Sequence, residues 1–150
     1  MTQPLVTLTI ADGVAHVELT REDAANAINP QLAEELSATA QECDTNPKVR
    51  AVLFSARGKM FSVGGDLAHM KAQGDNAGRV IKRMADDLHH AFSQFARSQA
   101  PMGTAVAGTA AGAGFSLSIM GDIVIAEPQA KFTMAYTNAV LSPDGGSTYL

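Results

Sequence analysis

Two glycine-rich segments constrain this chain more than any other feature of its sequence. The first, FSVGGDL, covers residues 61–67, and the second, GTAAGAG, covers residues 108–114. In each segment the pattern predicts a strand that gives way to a glycine-rich turn and then to a helix. Such turns leave backbone N–H groups without intrahelical partners, and these groups bind oxyanions. The sequence therefore predicts two strand-turn-helix junctions that present free N–H groups.

The first half of the chain predicts strands and helices in alternation. Residues 5–10 and 14–19 carry apolar side chains at alternating positions, and Asp12-Gly13 between them is a strong hairpin signal. Asn29 is a plausible N-cap for a helix that starts at Pro30 and ends near residues 46–47. A hairpin followed by a helix is typical of an α/β layer structure.

The rest of the chain continues this alternation. The apolar run at residues 49–55 predicts a strand that is buried on both faces. Further elements are predicted as a long amphipathic helix at 76–98, a strand at 104–107, a core helix at 115–120, a strand at 122–126, a turn at 143–146 and the first turn of a helix at 147–150.

Composition excludes several classes of function. The 150 residues are 46% hydrophobic, 17% charged and carry a formal net charge of −4, which suits one domain and no nucleic-acid partner. A single cysteine, Cys43, excludes an internal disulfide and predicts a small apolar filler on a helix. The N-terminus lacks a secretory pattern and residues 101–120 make a poor membrane span, so we expect a cytoplasmic protein that does not enter the membrane.

The glycine-rich segments admit more than one interpretation. Two amides that converge on one thioester oxygen would stabilise an enolate, and the loss of one such donor costs about 3–4 kcal/mol of barrier stabilisation. The same glycines also fit plain tight turns and close helix packing. A dinucleotide site is not favoured, because residues 108–114 lie deep in the chain rather than after the first strand.

Five segments together resemble the crotonase, or enoyl-CoA hydratase/isomerase, superfamily. They are residues 19–29, 61–67, 101–126, 132–136 and 141–147. The resemblance implies an α/β crotonase (ClpP-like) spiral fold of repeated β-β-α units. It also implies that residues 1–150 form the N-terminal part of the family's full length, without the C-terminal helical segment that closes the acyl pocket. A full-length protein would then form a homotrimer or hexamer.

The resemblance also implies where an acyl-CoA substrate is bound. In the family, the N–H groups at the positions of Gly65 and Ala113 hold the thioester oxygen, and an alanine is acceptable because the donor belongs to the main chain. Arg21 is a candidate for contact with the CoA phosphates. Further substrate-binding residues implied by the two loops are Gly64, Asp66, Leu67, Gly112 and Gly114.

Asp144 is the candidate acid and base. Hydratases of the family use two glutamates, and this chain has Ser116 and Tyr136 at the matching positions. Asp144 falls where isomerase-like members carry a single acid/base carboxylate, so the resemblance favours a double-bond shift over hydration. The residue alone also fits a turn-forming Asp in a Pro-Asp-Gly sequence.

His89 and Tyr136 keep a second mechanism open. With Asp144 they match the positions at which the chlorobenzoyl-CoA dehalogenases place a His, a Trp and a nucleophilic Asp. A partly buried helical histidine is the plainer interpretation of His89. The alternatives to an isomerase are therefore a hydratase, a thioester hydrolase or dehalogenase, and an acyl-CoA-binding protein without turnover. None of them requires a metal or a cofactor other than the coenzyme A of the substrate.

Overall fold

The computed structural model describes residues 3–148 of the chain, which contain seven strands in two sheets. The strands are β1 (Val6–Ala11), β2 (Val14–Leu19), β3 (Ala51–Ala56), β4 (Met102–Val106), β5 (Thr109–Ala111), β6 (Ile123–Ala126) and β7 (Lys131–Thr133). The larger sheet has the order β1-β2-β3-β4-β6, and β5 pairs with β7 in the smaller one. Only β1 and β2 are antiparallel, and every other pairing is parallel.

Four helices connect these strands in the described part of the chain. They are α1 (Pro30–Thr45), α2 (Leu67–Ala72), α3 (Ala77–Arg97) and α4 (Ala113–Ile119). Short 3₁₀ turns occur at Glu22–Ala24, Gly74–Asn76 and Thr137–Ala139. None of the helices within residues 3–148 has the length and apolar character needed to cross a membrane.

The predicted hairpin and first helix are confirmed. Asp12 and Gly13 both have left-handed backbone conformations, with φ of 52° and 86°, as a tight two-residue hairpin requires. The side chain of Asn29 accepts a hydrogen bond from the Leu32 N–H at 2.9 Å and so caps α1. Cys43 is buried on this helix, and burial, assisted by the Glu42 charge, raises the pKa of its thiol to about 11. A protonated, buried thiol fits the predicted apolar filler.

Helices α1 and α3 cover one face of the larger sheet. The inward residues of α3 are Met84, Leu88, Ala91 and Phe95, in the helical spacing that the sequence predicts. Phe95 meets Phe54 of β3 edge to face, with ring centroids 6.2 Å apart. This packing fixes α3 over the sheet and leaves its N-terminal half above the glycine-rich turns.

The prediction that β3 is buried on both faces is wrong. Val52 and Phe54 are buried, whereas Leu53 between them is 39% exposed. The opposite face of the sheet, which also carries Ile123 and Ile125 of β6, is not covered by any element of the described chain. A continuous apolar run can form a strand with one buried face or with two. The sequence pattern therefore could not show that one face of β3 is exposed.

The turn predicted at residues 143–146 is confirmed. Gly145 and Gly146 have φ of 61° and 77°, and the Ser147 N–H donates to the Asp144 carbonyl at 3.2 Å. Of the helical turn predicted for residues 147–150, Tyr149 and Leu150 lie outside the described residues.

Candidate active site

The two glycine-rich turns lie directly against each other. Gly64 has a φ of +85°, and a Cβ added there would lie 2.7 Å from the Ala111 oxygen and 3.1 Å from the Ala113 nitrogen. A side chain at position 64 would therefore push the two turns apart. This close backbone approach, together with the positive φ, explains the glycine.

The first turn leaves the Gly65 N–H free. The Ile28 N–H donates to the Gly64 oxygen at 2.8 Å, and the Asp66 N–H donates to the Ile28 oxygen at 2.9 Å. Because successive backbone groups of an extended segment face opposite sides, the N–H of Gly65 points away from Ile28. It donates to no acceptor within residues 3–148.

The second turn leaves the Ala113 N–H free. Gly112 is the N-cap of α4, with φ of 53° and ψ of −126°, a conformation that a glycine adopts readily. Its own N–H donates to the Thr133 oxygen at 3.0 Å. Ala113 is the first residue of the helix, where an N–H has no intrahelical partner, and it finds no other acceptor in the described chain.

Both free N–H groups belong to residues that line one cavity of about 240 Å³. Leu67, Gly112, Tyr136 and Asp144 line the same cavity. Most of the remaining wall is apolar and is formed by Ile28, Met70, Ile81, Met84, Leu88 and Leu141. Such a site, apolar with a few convergent polar groups, is typical of a small-molecule pocket.

Several residues of the predicted site lie beside this cavity rather than in its wall. Gly64 and Gly114 serve the packing of the turns, since a Cβ on Gly114 would overlap the Ser62 oxygen. Arg21 and Asp66 form an ion pair at 2.8 Å, and Arg21 also donates to the Ala27 oxygen at 2.6 Å. This contact ties the segment after β2 to the first glycine turn.

Asp66 has a structural reason to stay ionised. Partial burial by itself would raise the pKa of this carboxyl, but the His69 N–H, the hydrogen bond and charge of Arg21 and the charge of His69 outweigh that effect. The pKa of Asp66 is therefore lowered. Its side chain caps α2 by accepting from the His69 N–H at 2.9 Å.

The structure brings His89 and Asp144 together across 55 residues of sequence. Nε2 of His89 donates to Oδ1 of Asp144 at 2.6 Å, and the Gly145 N–H donates to the same oxygen at 2.6 Å. The two side chains are about half exposed, at 47% and 45%. The carboxylate therefore lies at the mouth of the cavity, oriented by two donors.

Ser116 and Tyr136 form a buried hydroxyl pair behind Asp144. The hydroxyl of Ser116 lies 2.8 Å from the Asp144 carbonyl oxygen and 2.9 Å from the Tyr136 hydroxyl, which lies 3.1 Å from the same carbonyl. Burial is the main reason that the pKa of Tyr136 is raised. The sequence marked Ser116 only as a position without a glutamate, and no local pattern indicated this contact.

Asn26 is a second residue whose part in the site the sequence analysis missed. It is fully buried in the left-handed conformation, and its side chain donates to the Arg57 and Met60 oxygens, both at 2.9 Å. The Arg21 N–H donates to its side-chain oxygen at 3.0 Å. Asn26 thus holds the chain that leads into the first glycine turn. Asparagine adopts the left-handed conformation more readily than most residues, and this preference is the sequence signal that could have pointed to Asn26.

The described residues offer no group of three or more His, Cys, Asp or Glu side chains that could hold a metal ion. The polar groups at the cavity include the two main-chain donors, the Tyr136 side chain and the Asp144 carboxylate, which His89 contacts.

Comparison with known proteins shows which family this chain resembles. The sequence profile of the enoyl-CoA hydratase/isomerase family matches residues 9–150. The chain is 34% identical over 140 residues to a Rhodobacter capsulatus protein named "Probable enoyl-CoA hydratase", which covers 93% of this chain and 52% of that protein. It is 31% identical over 145 residues to the 1,2-epoxyphenylacetyl-CoA isomerase of Escherichia coli, covering 94% of this chain and 54% of the relative.

Solved structures agree with the sequence comparison. An enoyl-CoA hydratase from Polaromonas sp. JS666 superposes with a TM-score of 0.85 at 31% identity, over 94% of this chain and 55% of that one. An enoyl-CoA hydratase from Shewanella pealeana superposes with a TM-score of 0.87 at 29% identity, over 97% of this chain and 55% of the other. The predicted α/β crotonase fold is thereby confirmed.

The chain spans about half the length of the curated relatives it matches. Over that half, the family profile, the identities and the fold agree. The chain belongs to the enoyl-CoA hydratase/isomerase family of the crotonase superfamily.

Proposed function

We propose that this chain carries the reaction centre of an isomerase-type acyl-CoA enzyme, which moves a carbon–carbon double bond next to a thioester. The N–H groups of Gly65 and Ala113 would hold the thioester oxygen, and Asp144 would carry the proton. The apolar wall of the cavity would receive the acyl chain.

The reaction needs one base that later acts as an acid. Asp144 removes a proton from the carbon alpha to the thioester of a 3-enoyl-CoA, and the electron pair moves onto the carbonyl oxygen as an enolate. Gly65 and Ala113 stabilise that charge. The protonated Asp144 then delivers the proton to the gamma carbon, and the double bond comes into conjugation with the thioester.

One observation carries this proposal: Asp144 is the only carboxylate in the cavity wall as the described residues form it. A hydratase of the two-glutamate type needs a second carboxylate to handle water. The two positions that would supply glutamates hold Ser116 and Tyr136, whose hydroxyls are 2.9 Å apart. Names of the relatives include both hydratases and isomerases, so the preference for an isomerase rests on these residues.

The contact between His89 and Asp144 favours a second candidate, a thioester hydrolase. Its carboxylate would attack the thioester carbonyl carbon, the CoA thiolate would leave, and histidine would assist the water that hydrolyses the resulting anhydride. A third candidate is an acyl-CoA-binding protein without turnover. Isomerisation creates a conjugated enoyl thioester, hydration consumes one, and thioester hydrolysis releases free CoA thiol, so product analysis separates all of them.

The test compares the protein with its Asp144→Asn variant on a 3-enoyl-CoA, followed by ultraviolet absorbance of the conjugated product and by a thiol reagent. We expect conjugation without thiol release, and a loss of about 10²–10⁴-fold in kcat for the variant. Asp86→Asn is the matched control, since Asp86 is an exposed carboxylate of α3 paired only with Lys82. Full turnover by Asp144→Asn would refute the proposal.

A further inference from the structure

Two buried hydroxyl groups contact the main chain of Asp144. Neither of them takes part in the proposed proton transfer. Ser116 on α4 is fully buried, and Tyr136 is nearly so. Both hydroxyls lie within hydrogen-bond distance of the Asp144 carbonyl oxygen, at 2.8 and 3.1 Å, and within 2.9 Å of each other. These two hydroxyls contact the main chain of Asp144, whereas His89 contacts its carboxylate.

The number of protons in this cluster shows that either hydroxyl alone can donate to the Asp144 carbonyl. Three oxygen atoms are in mutual contact, but the two hydroxyls supply only two protons. Either both hydroxyls donate to the carbonyl, or one donates to the other, which then donates to the carbonyl. In both arrangements at least one hydroxyl donates to the Asp144 carbonyl, which also accepts from the Ser147 N–H. When either hydroxyl is removed, the other is still within hydrogen-bond distance of this carbonyl.

Packing around the next residue supports the same role. A Cβ added to Gly145 would lie 2.6 Å from the Phe92 ring and 3.0 Å from the Ser116 Cβ. The backbone after Asp144 therefore rests on α3 and α4 without space for a side chain. Hydrogen bonds and close packing together restrict where the Asp144 backbone can lie.

We propose that Ser116 and Tyr136 are positioning residues for Asp144, a role that rests on the proposed function of this carboxylate. They hold its carbonyl from the buried side, so that the carboxylate stays at the cavity and against His89. Proton transfer falls off steeply when the base moves away from the reacting carbon, so a small displacement of this backbone lowers kcat. Ser116 does not line the cavity, and Tyr136→Phe keeps the aromatic ring that does, so we expect KM to stay unchanged.

The experiment is a double-mutant cycle with Ser116→Ala and Tyr136→Phe, measured as kcat and KM on a 3-enoyl-CoA. Each single variant should lose about 5-fold in kcat, the effect of one hydrogen bond, because the remaining hydroxyl still donates. The double variant should lose more than the product of the two single losses. Ser118→Ala is the matched control, since Ser118 is a buried serine of the same helix whose hydroxyl donates only to the Phe115 oxygen.

Two comparisons separate positioning from a merely structural role. In the Asp144→Asn background, Ser116→Ala should lower the residual kcat no further. Independently of turnover, amide exchange at Ser147, whose N–H donates to the same carbonyl, should rise about 10-fold or more in the double variant while α1 is unchanged.

These readouts also separate a failure of this proposal from a failure of the proposed function. Full turnover by Asp144→Asn would refute the catalytic role of the carboxylate, and the exchange measurement would still test the positioning. Unchanged exchange at Ser147, or multiplicative losses in the cycle, would overturn the positioning role even if Asp144 proves essential.

Discussion

Ala113 illustrates how a residue can matter through its main chain alone. Its N–H starts α4, lies in the wall of the cavity and has no acceptor in the described chain. Its methyl group contributes nothing to that donor, which is why an alanine serves where glycines surround it. A substitution that removes the hydrogen but keeps the helix therefore tests the donor directly.

Ala113→Pro is that substitution. Proline is well tolerated at the first position of a helix, where the N–H has no intrahelical partner to lose. We expect kcat/KM to fall about 10²–10³-fold, the usual effect of losing one oxyanion donor. Steady-state kinetics on an enoyl-CoA measures this loss.

Ala113→Gly is the comparison variant for this donor, because it keeps the N–H and should lose far less activity. Thermal unfolding of both variants shows whether α4 is intact. Equal losses in the two variants would show that the helix start, and not the hydrogen, is what the site needs.

At the scale of single residues, the glycine-rich segments and the family resemblance indicated the two N–H donors. They did not indicate the Ser116 hydroxyl that contacts the Asp144 carbonyl. Gly65 and Ala113 sit in glycine-rich segments that are recognisable locally. Ser116 meets partners 20 and 28 residues away, and nothing within its own helix signals a serine that holds another loop. Its hydroxyl would fit a helix packed in any core.

The two glycine-rich turns act as a pair of elements rather than as two separate loops. Gly64 and Gly112 lie side by side where the turns meet. A Cβ added to Gly112 would lie 3.9 Å from the Gly64 Cα, and a Cβ added to Gly64 would lie 3.4 Å from the Gly112 Cα. The relative placement of the two donors therefore depends on the absence of side chains where the turns meet.

Gly64→Ala should disturb both turns at once. The added methyl would lie 2.7 Å from the Ala111 oxygen, and φ would remain near +85°, so we expect a loss of about 2–4 kcal/mol in the free energy of unfolding. Turnover should fall as well, because the donors move apart. Urea denaturation and kinetics measure the two effects.

Gly78→Ala is the control for this substitution. Gly78 lies in the first turn of α3 with nothing within 4 Å of an added Cβ, so alanine should stabilise the protein by up to about 1 kcal/mol and leave turnover unchanged. A Gly64→Ala protein as stable as the parent would contradict the contact between the turns.

Helices and strands were predictable to the degree that their signals are local. Asn29 and Pro30 mark the start of α1, and the apolar spacing of α3 gives its buried face. The exposure of Leu53 on β3 and of Ile125 on β6 was not predictable, because it depends on which sheet face the helices cover.

At the scale of the whole molecule, the ion pair of Arg21 and Asp66 joins two segments that are distant in sequence. Their side chains are 45 residues apart in sequence and mostly buried, with exposed fractions of 20% and 13%. The contact joins the segment after β2 to the turn that carries Gly65. Because the pKa of Asp66 is lowered in the folded protein, its contribution to stability depends on pH.

Asp66→Ala should lower the free energy of unfolding by about 1–3 kcal/mol at pH 7, through loss of the α2 cap and of the ion pair. A carboxyl whose folded pKa lies below its unfolded value stabilises fully above the unfolded pKa. The difference between the two proteins should therefore stay constant down to about pH 5 and shrink below about pH 4.

Denaturant unfolding across this pH range measures the effect. Asp86→Ala is the matched comparison, since its exposed pair with Lys82 should contribute no more than about 0.5 kcal/mol at any pH. A difference for Asp66→Ala that persists unchanged at pH 3 would show that the charge of Asp66 does not stabilise the fold.

The sequence by itself determined most of the elements, though not the short strands β5 and β7, and it marked the two glycine-rich turns in which the family resemblance places the donors. Hairpin turns, helix caps, apolar periodicity and glycine-rich turns are local signals, because they act over a few neighbouring residues. Only the tertiary structure decided which of these groups meet. The contact of the two turns, the pairing of His89 with Asp144 and the contacts of the Ser116 hydroxyl with Tyr136 and Asp144 join residues 20 to 55 positions apart. Such contacts depend on how helices pack on the sheet, and that packing leaves no local trace in the sequence.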